Sequence, residues 1–290
     1  MTMTDTNSFE GLISRLRSLG RKVRVAAVCP NDHSSAEALK RAAGEGWIEP
    51  IVVDNADPAQ AAAQAAAEAV AMAHRGEADV LMKGLISSDI LLRAILNKEV
   101  GLLRRGEVLT HTAVAEMPGY HKLVAYSDAA VIPYPTQEQR ISQTRYLATL
   151  CHGMGIVCPR ISLIHCSEHI DERHFPHTGG YADIIERGRQ GEFGPCIIDG
   201  PLDLKTSMCP ESLAVKGIDS PVGGDADALV FPDIEAANVF HKTITLLASA
   251  RIAAVLQGPD VPVVMPSRGD DADSKYYSLA LAALQSLKNA

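Results

Sequence analysis

The stretch Val23-Arg-Val-Ala-Ala-Val-Cys29, then Pro30-Asn-Asp32, then an amphipathic segment to about Ala43 and Ile51-Val-Val53, holds the fold in miniature. The first run is apolar apart from Arg24, as in a strand covered on both faces of a parallel sheet. Pro30-Asn31-Asp32 turns the chain. Ser34 with Glu37 three residues later reads as a capping box that opens a helix. Ile51–Val53 then supplies a second strand. The unit is strand, helix, strand, and parallel strands need such a crossover.

The same rhythm extends in both directions. Phe9, Leu12, Ile13, Leu16 and Leu19 recur at helical spacing and predict a helix over 8–19. An alanine-rich helix is expected at 58–74, a strand at 79–82, and a helix capped by Ser87, Ser88 or Asp89 that runs to about Asn97. Residues 108–117 and 122–127 read as a hairpin, 129–132 as a short strand and 137–152 as a long helix. Further strands are expected at 161–164, 196–198, 228–231, 253–256 and 261–265. Further helices are expected at 178–190, 209–216, 234–249 and 273–288. This alternation predicts an α/β fold of mostly parallel sheet with helices on both faces. A length of 290 residues allows about two domains. With no low-complexity linker, the reading is two packed lobes, 1–130 plus 260–290 and 131–259, with the active site in the cleft between them.

Composition excludes several classes. With 27 Lys+Arg against 35 Asp+Glu the net charge is −8, and the pI is near 5.7 without a basic block, which argues against a nucleic-acid binder. No apolar run approaches the length of about 18 residues that spans a membrane. The first ten residues lack the basic-then-apolar layout of a signal peptide. Six scattered cysteines suit reduced thiols in a cytoplasm.

No Gly-x-Gly-x-x-Gly opens a helix and no P-loop signature occurs. Leu81-Met-Lys-Gly-Leu-Ile-Ser-Ser-Asp89 ends a strand and starts a helix, so its backbone N–H groups, Lys83 and Arg93 form a candidate anion cradle. Its plain alternative is an ordinary capped loop. The cysteines and histidines of 151–177 lack zinc-ligand spacing, and the reading is no metal site. Gly223-Gly-Asp-Ala-Asp227 and Gly269-Asp-Asp-Ala-Asp273 do not match calcium-loop spacing. Ser267-Arg268-Gly269, however, directly follows the apolar run 261–265, at the end of a strand where open α/β sheets bind ligands. Arginine presents a planar fork of donors suited to phosphate.

From these residues a family resemblance emerges. Pro262-Val-Val-Met-Pro-Ser-Arg-Gly-Asp-Asp-Ala-Asp-Ser-Lys275, continuing into Ser278-Leu-Ala-Leu-Ala282, resembles the C-terminal motif of the phosphate acetyl/butyryltransferases. So do Ala226–Lys242, Leu81-Met-Lys-Gly84, Ser127-Asp-Ala-Ala130 and Asp199-Gly-Pro-Leu202, all in family order. The length is closest to the butyryl-type members. The resemblance implies a two-lobed subunit similar to the isocitrate and isopropylmalate dehydrogenases, and a homodimer. It implies reversible transfer of a short acyl group, butyryl or acetyl, between coenzyme A and phosphate. It places Ser267 and Arg268 on the family's active-site pair and Asp273 near its proposed base. Lys83, Gly84, Arg93, Asn238 and Lys242 fall on substrate- and coenzyme A-phosphate-binding positions. Coenzyme A, acyl phosphate and phosphate are then the ligands, with no permanently bound cofactor. Lys205 departs from the pattern, standing where members usually carry aspartate.

Those residue types fit thiolate attack on an acyl phosphate. Such a reaction needs in-line positioning, a proton acceptor for the thiol, and donors for the leaving phosphate and oxyanion. Two other readings remain. One is a metal- and NAD-dependent decarboxylating dehydrogenase of similar fold with Asp270, Asp271 and Asp273 as ligands. The other is a non-catalytic protein that binds coenzyme A or acyl phosphate.

Overall fold

The apolar run at 23–29 forms strand β1 (Val23–Val28), between helices α1 (Phe9–Leu19) and α2 (His33–Gly44), in a computed structural model that describes residues 7–54, 61–267 and 269–287. The periodic residues Phe9, Leu12, Ile13 and Leu16 are all buried. Ser8 caps α1 by accepting from the Gly11 N–H, and Gly20, at φ 63°, ends it. Helix α2 starts earlier than the Ser34–Glu37 pattern implies. Its cap is Asp32, whose carboxylate accepts from the Ser35 N–H at 2.9 Å and from the Ser34 hydroxyl at 2.9 Å. A carboxylate caps more strongly than a hydroxyl that is itself donating to it. Next come β2 (Ile48–Val53), α3 (Ala61–His74), β3 (Val80–Lys83) and α4 (Ser88–Ile95). The expected start of the alanine-rich helix, before residue 61, lies outside the described residues.

The chain then builds β4 (Thr110–Glu116), β5 (Val124–Ser127), α5 (Gln137–Met154), β6 (Arg160–Ile164) and a 3₁₀ turn at Pro176–Gly180. After these come α6 (Tyr181–Arg189), β7 (Ile197–Leu202), α7 (Leu204–Met208), α8 (Pro210–Lys216), β8 (Ala228–Val230) and α9 (Ile234–Leu247). It closes with β9 (Arg251–Gln257), β10 (Val263–Val264) and α10 (Ala272–Ser286). The described residues divide into two compact units. One takes the chain up to Leu109 and again from Arg251, and the other is Thr110–Ala250. The strand order is β2-β1-β3-β10-β9 in the first unit and β4-β5-β8-β6-β7 in the second. Within each unit the pairs are parallel except β9 with β10 and β4 with β5.

Both unit boundaries differ from those expected near residues 130 and 260. The hairpin β4–β5 belongs to the second unit because β5 pairs with β8, and β9 belongs to the first because it pairs with β10. A second difference is at 129–132, expected as a strand. The buried Asp128 carboxylate gathers the N–H groups of Ala130, Val131 and Ile132, together with the His111 N–H and the Thr110 hydroxyl. Backbone donors turned onto a side chain are not available to a sheet ladder. The acidic turn 223–227 is also structural. Lys122 Nζ meets Asp227 at 2.7 Å and Asp225 at 3.0 Å, and the Asp227 carboxylate accepts from the Arg160 N–H, all at the amino ends of β5, β6 and β8.

Two histidines of the second unit sit where protonation is unfavourable. His241 accepts or donates at Nδ1 with the Tyr126 hydroxyl at 2.6 Å. Burial, then nearby His111 and Lys242, push its pKa down to about 4. Burial, then Arg140 and His165, push His177 down to about 4 against the opposing pull of Asp233. The His177 Nε2 is buried without a hydrogen-bond partner. The unfolded chain binds these protons near the ordinary value of 6.5. Stability is therefore complete above that pH and is lost as pH falls toward 4. Calorimetry should show Tm dropping over that window, with His177→Gln and His241→Gln each flattening the drop. An equal slope in both variants and wild type would contradict it.

Candidate active site

Strands β2, β1, β3 and β10 run parallel, so their carboxyl ends share one edge of the first unit. That edge carries Asp54, Cys29–Asp32, the loop that follows Lys83, and the turn at Ser267. The register Val263↔Leu81 and Val264↔Met82 brings the last two together, one strand apart. Open α/β sheets bind their ligands at this edge.

Lys83 is 4% exposed, and its Nζ donates to the carbonyls of Gly84 and Ile86, each at 3.2 Å. The ammonium thus shapes the loop ahead of α4. Gly84 donates its N–H to Val28 O and Leu85 donates to Cys29 O, stitching this loop to the one after β1. No side chain fits at Gly84, because a Cβ there would lie 2.2 Å from Cys29 O. Cys29 holds φ at 48°, uncommon for a residue with a Cβ, and its thiol points at Asp54 Oδ1, 3.5 Å away. Burial, reinforced by Asp54, pushes that thiol up to about 11, which keeps it protonated and a poor nucleophile. Asn31 Nδ2 donates to the other oxygen of Asp54 at 2.8 Å.

Ser267 is exposed. Its N–H donates to Asp270 Oδ2 at 2.8 Å, and its hydroxyl accepts from the Gly269 N–H at 3.4 Å. Arg268 lies outside the described residues. Asp271 caps α10 through the Ser274 N–H, and Asp273, one turn in, pairs with Arg41 of α2 at 2.8 Å. Arg93 is exposed on α4, along an open groove that it lines with Asp89, Leu92 and Leu96.

The edge of the first unit therefore unites Lys83, Gly84 and Ser267, with Asp273 turned toward α2. Asn238 and Lys242 belong to the second unit, both exposed on α9. Asn238 Nδ2 donates to Ala129 O at 3.0 Å and supports the loop wound on Asp128. Lys205 is exposed on α7. The carboxylates of the dehydrogenase alternative each have another role: Asp270 holds the Ser267 N–H, Asp271 caps α10 and Asp273 pairs with Arg41. Among the described residues no three His, Cys, Asp or Glu side chains gather as a metal site. The residues of this edge that sequence reasoning did not single out are Asn31, Asp54 and the buried Lys275, which bonds Asp32. A lysine before the apolar run of α10 was the one available signal.

The chain belongs to the family described as phosphate acetyl/butaryl transferase, which residues 17–283 match. It is thereby an acyltransferase of the α/β class that the fold and loop motifs define. It is 33% identical to the phosphate butyryltransferase of Clostridium beijerinckii, covering 98% of this chain and 99% of that protein. It is equally 33% identical to the phosphate acetyltransferase of Thermotoga maritima, covering 95% and 98%. A branched-chain phosphotransacylase from Enterococcus faecalis superposes with a TM-score of 0.80 at 28% identity, over 91% of this chain and 99% of that one. A putative 4-hydroxythreonine-4-phosphate dehydrogenase from Salmonella typhimurium, at 14% identity, TM-score 0.51 and coverage of 98% and 97%, shares the fold alone.

Proposed function

We propose that this chain transfers a short-chain acyl group reversibly between coenzyme A and inorganic phosphate, using the carboxyl edge of its first unit. The observation that carries this reading is the adjacency of β3 and β10, which supports one anion site built from the loop after Lys83 and the turn at Ser267. In the thioester-forming direction the coenzyme A sulfur passes its proton to a carboxylate of the turn at Ser267 and bonds to the acyl carbon. The carbon–oxygen bond to phosphate then breaks, and phosphate leaves with that bonding pair. Arg268 and Arg93 supply cations for the phosphate and the developing oxyanion. Ser267 hydrogen-bonds the sulfur or the carbonyl. Asp270, whose carboxylate holds the Ser267 amide, is the acidic group best tied to that serine, while Asp273 is held by Arg41. Asn238 and Lys242 are assigned to phosphates of coenzyme A. No permanently bound cofactor and no enzyme-bound acyl group enters this scheme.

The two relatives at equal identity leave the acyl chain open, and the likeness of Asp199-Gly-Pro-Leu202 to butyryl-type members is the ground for the butyryl reading. The expected result is a kcat/KM for butyryl-CoA at least equal to that for acetyl-CoA. The preference should be graded, because one methylene in an apolar pocket is worth only about 1–3 kcal/mol. Rates with acetyl-, propionyl-, butyryl- and isobutyryl-CoA plus phosphate, with and without EDTA, test this directly. A strong acetyl preference refutes the chain-length reading. Loss of turnover in EDTA that Mg²⁺ restores favours the dehydrogenase reading. Among the described residues no helix is long and apolar enough to cross a membrane, and a cytoplasmic location is part of the proposal. So is a homodimer, supported by the apolar Val239, Leu246 and Leu247 exposed on α9. Light scattering on Leu246→Glu should report a monomer if that face associates.

A further inference from the structure

Lys275 stands in the first turn of α10 and is 4% exposed. Its Nζ donates to Asp32 Oδ1 at 2.7 Å and to Ser35 Oγ at 3.0 Å. The acyl-transfer scheme gives it no role. A buried ion pair is weak evidence of added stability, and its best-attested use is to hold one arrangement among several. The arrangement it holds can be traced. Asp32 belongs to the loop after β1, and Gly84 and Leu85 bond to Val28 and Cys29, where β1 ends and that loop begins. Lys275 follows closely on the turn that carries Ser267, which α10 continues. The two ligand loops are thus both tied to one intermediate loop, one through backbone bonds and the other through a single ammonium. Burial alone would raise the Asp32 pKa, but Lys275, the Ser35 groups and Ser34 hold it well below the usual carboxylate range.

We propose that Lys275 is a positioning residue, whose ion pair with Asp32 sets the Ser267 turn at its working distance from the Lys83–Gly84 loop. The proposal rests on the acyl-transfer reading of that edge. The ligand held in register is the anionic acyl phosphate, or phosphate itself, which both loops must meet at once. Displacement of about 1 Å in such a site is enough to lower a rate by about 10²-fold.

The test compares Lys275→Met with Lys122→Met, which breaks the ion pairs to Asp225 and Asp227 in the second unit. Both variants should lower Tm. Well below either Tm, Lys275→Met should lose about tenfold or more in kcat with butyryl-CoA and phosphate, while Lys122→Met stays within about twofold of wild type. Amide hydrogen exchange supplies a readout independent of turnover. Peptides covering 83–87 and 269–274 should exchange faster in Lys275→Met and at the wild-type rate in Lys122→Met. Wild-type kcat in Lys275→Met, or unchanged exchange in both peptides, overturns the proposal. Should Lys275→Met fail to fold, Asp32→Asn keeps a capping oxygen, removes the charge and faces the same two measurements. If the wild-type protein itself shows no turnover, the acyl-transfer reading fails, and exchange alone decides whether Lys275 couples the two loops.

Discussion

Arg268→Ala is expected to lower kcat/KM by about 10²-fold or more while leaving Tm near the wild-type value. The magnitude is that of removing one preorganised donor from a developing oxyanion. Arg268→Lys should recover little, because a point charge on a flexible stem does not reproduce two parallel N–H bonds to a phosphate. The competing account is that Arg268 braces its own turn through a neighbouring carboxylate. The three neighbours already have described roles: Asp270 on the Ser267 amide, Asp271 on the α10 cap and Asp273 on Arg41. Initial rates and a thermal melt on the same preparation separate the accounts. A lowered Tm with wild-type kinetics would make Arg268 a brace and remove it from the chemistry.

Gly84→Ala should be among the most damaging single-methyl changes in the first unit. The added carbon would lie 2.2 Å from Cys29 O, 2.5 Å from Pro30 Cα and 2.6 Å from Cys29 C. All three are backbone atoms, so no side chain can swing aside. Either the loop after β3 lifts away from the loop after β1, or the end of β1 is pushed back. The expected cost is about 3 kcal/mol, at the upper end for overpacking, with kcat/KM falling by about tenfold or more because the same loops carry the site. Urea denaturation and initial rates read the two effects. Gly44→Ala is the matched control: it sits in α2 with nothing within 4 Å of the added carbon. It should raise stability by about 0.5–1 kcal/mol through better helix propensity. Equal stability of the two variants would mean that the loop has slack the geometry does not indicate.

The alternation of strands and helices was legible because parallel strands covered on both faces read as nearly continuous apolar runs. Val23–Val28 and Val80–Lys83 are of that kind. Ser267 was legible for a related reason: a turn directly after an apolar run lies at the ligand edge of such a sheet. What escaped was long-range. Asp32 outcompeted Ser34 as a cap partly because Lys275, 243 positions further on, comes back to meet it. Asp128 turned 129–132 away from a strand by collecting three of its amides, and nothing local in Ser-Asp-Ala-Ala distinguishes that from an ordinary bend. Lys83 was legible as part of a candidate anion cradle, but the contact of its ammonium with the carbonyls of its own loop was not. The unit boundaries were displaced because pairing helps to define a unit, and β9 pairs with β10, which follows it in the chain.

The first unit is interrupted by the whole of the second, and β10 inserts between β3 and β9 after the chain returns. During synthesis the segment 110–250, with all five of its described strands, is made before β9 and β10 of the first unit exist. Domains generally fold as units while the chain grows. The second unit is therefore the one equipped to fold co-translationally, whereas β1, β2 and β3 must wait with an exposed β3 edge for β10. A nascent chain stalled before residue 261 would present that open edge to chaperones and to other chains.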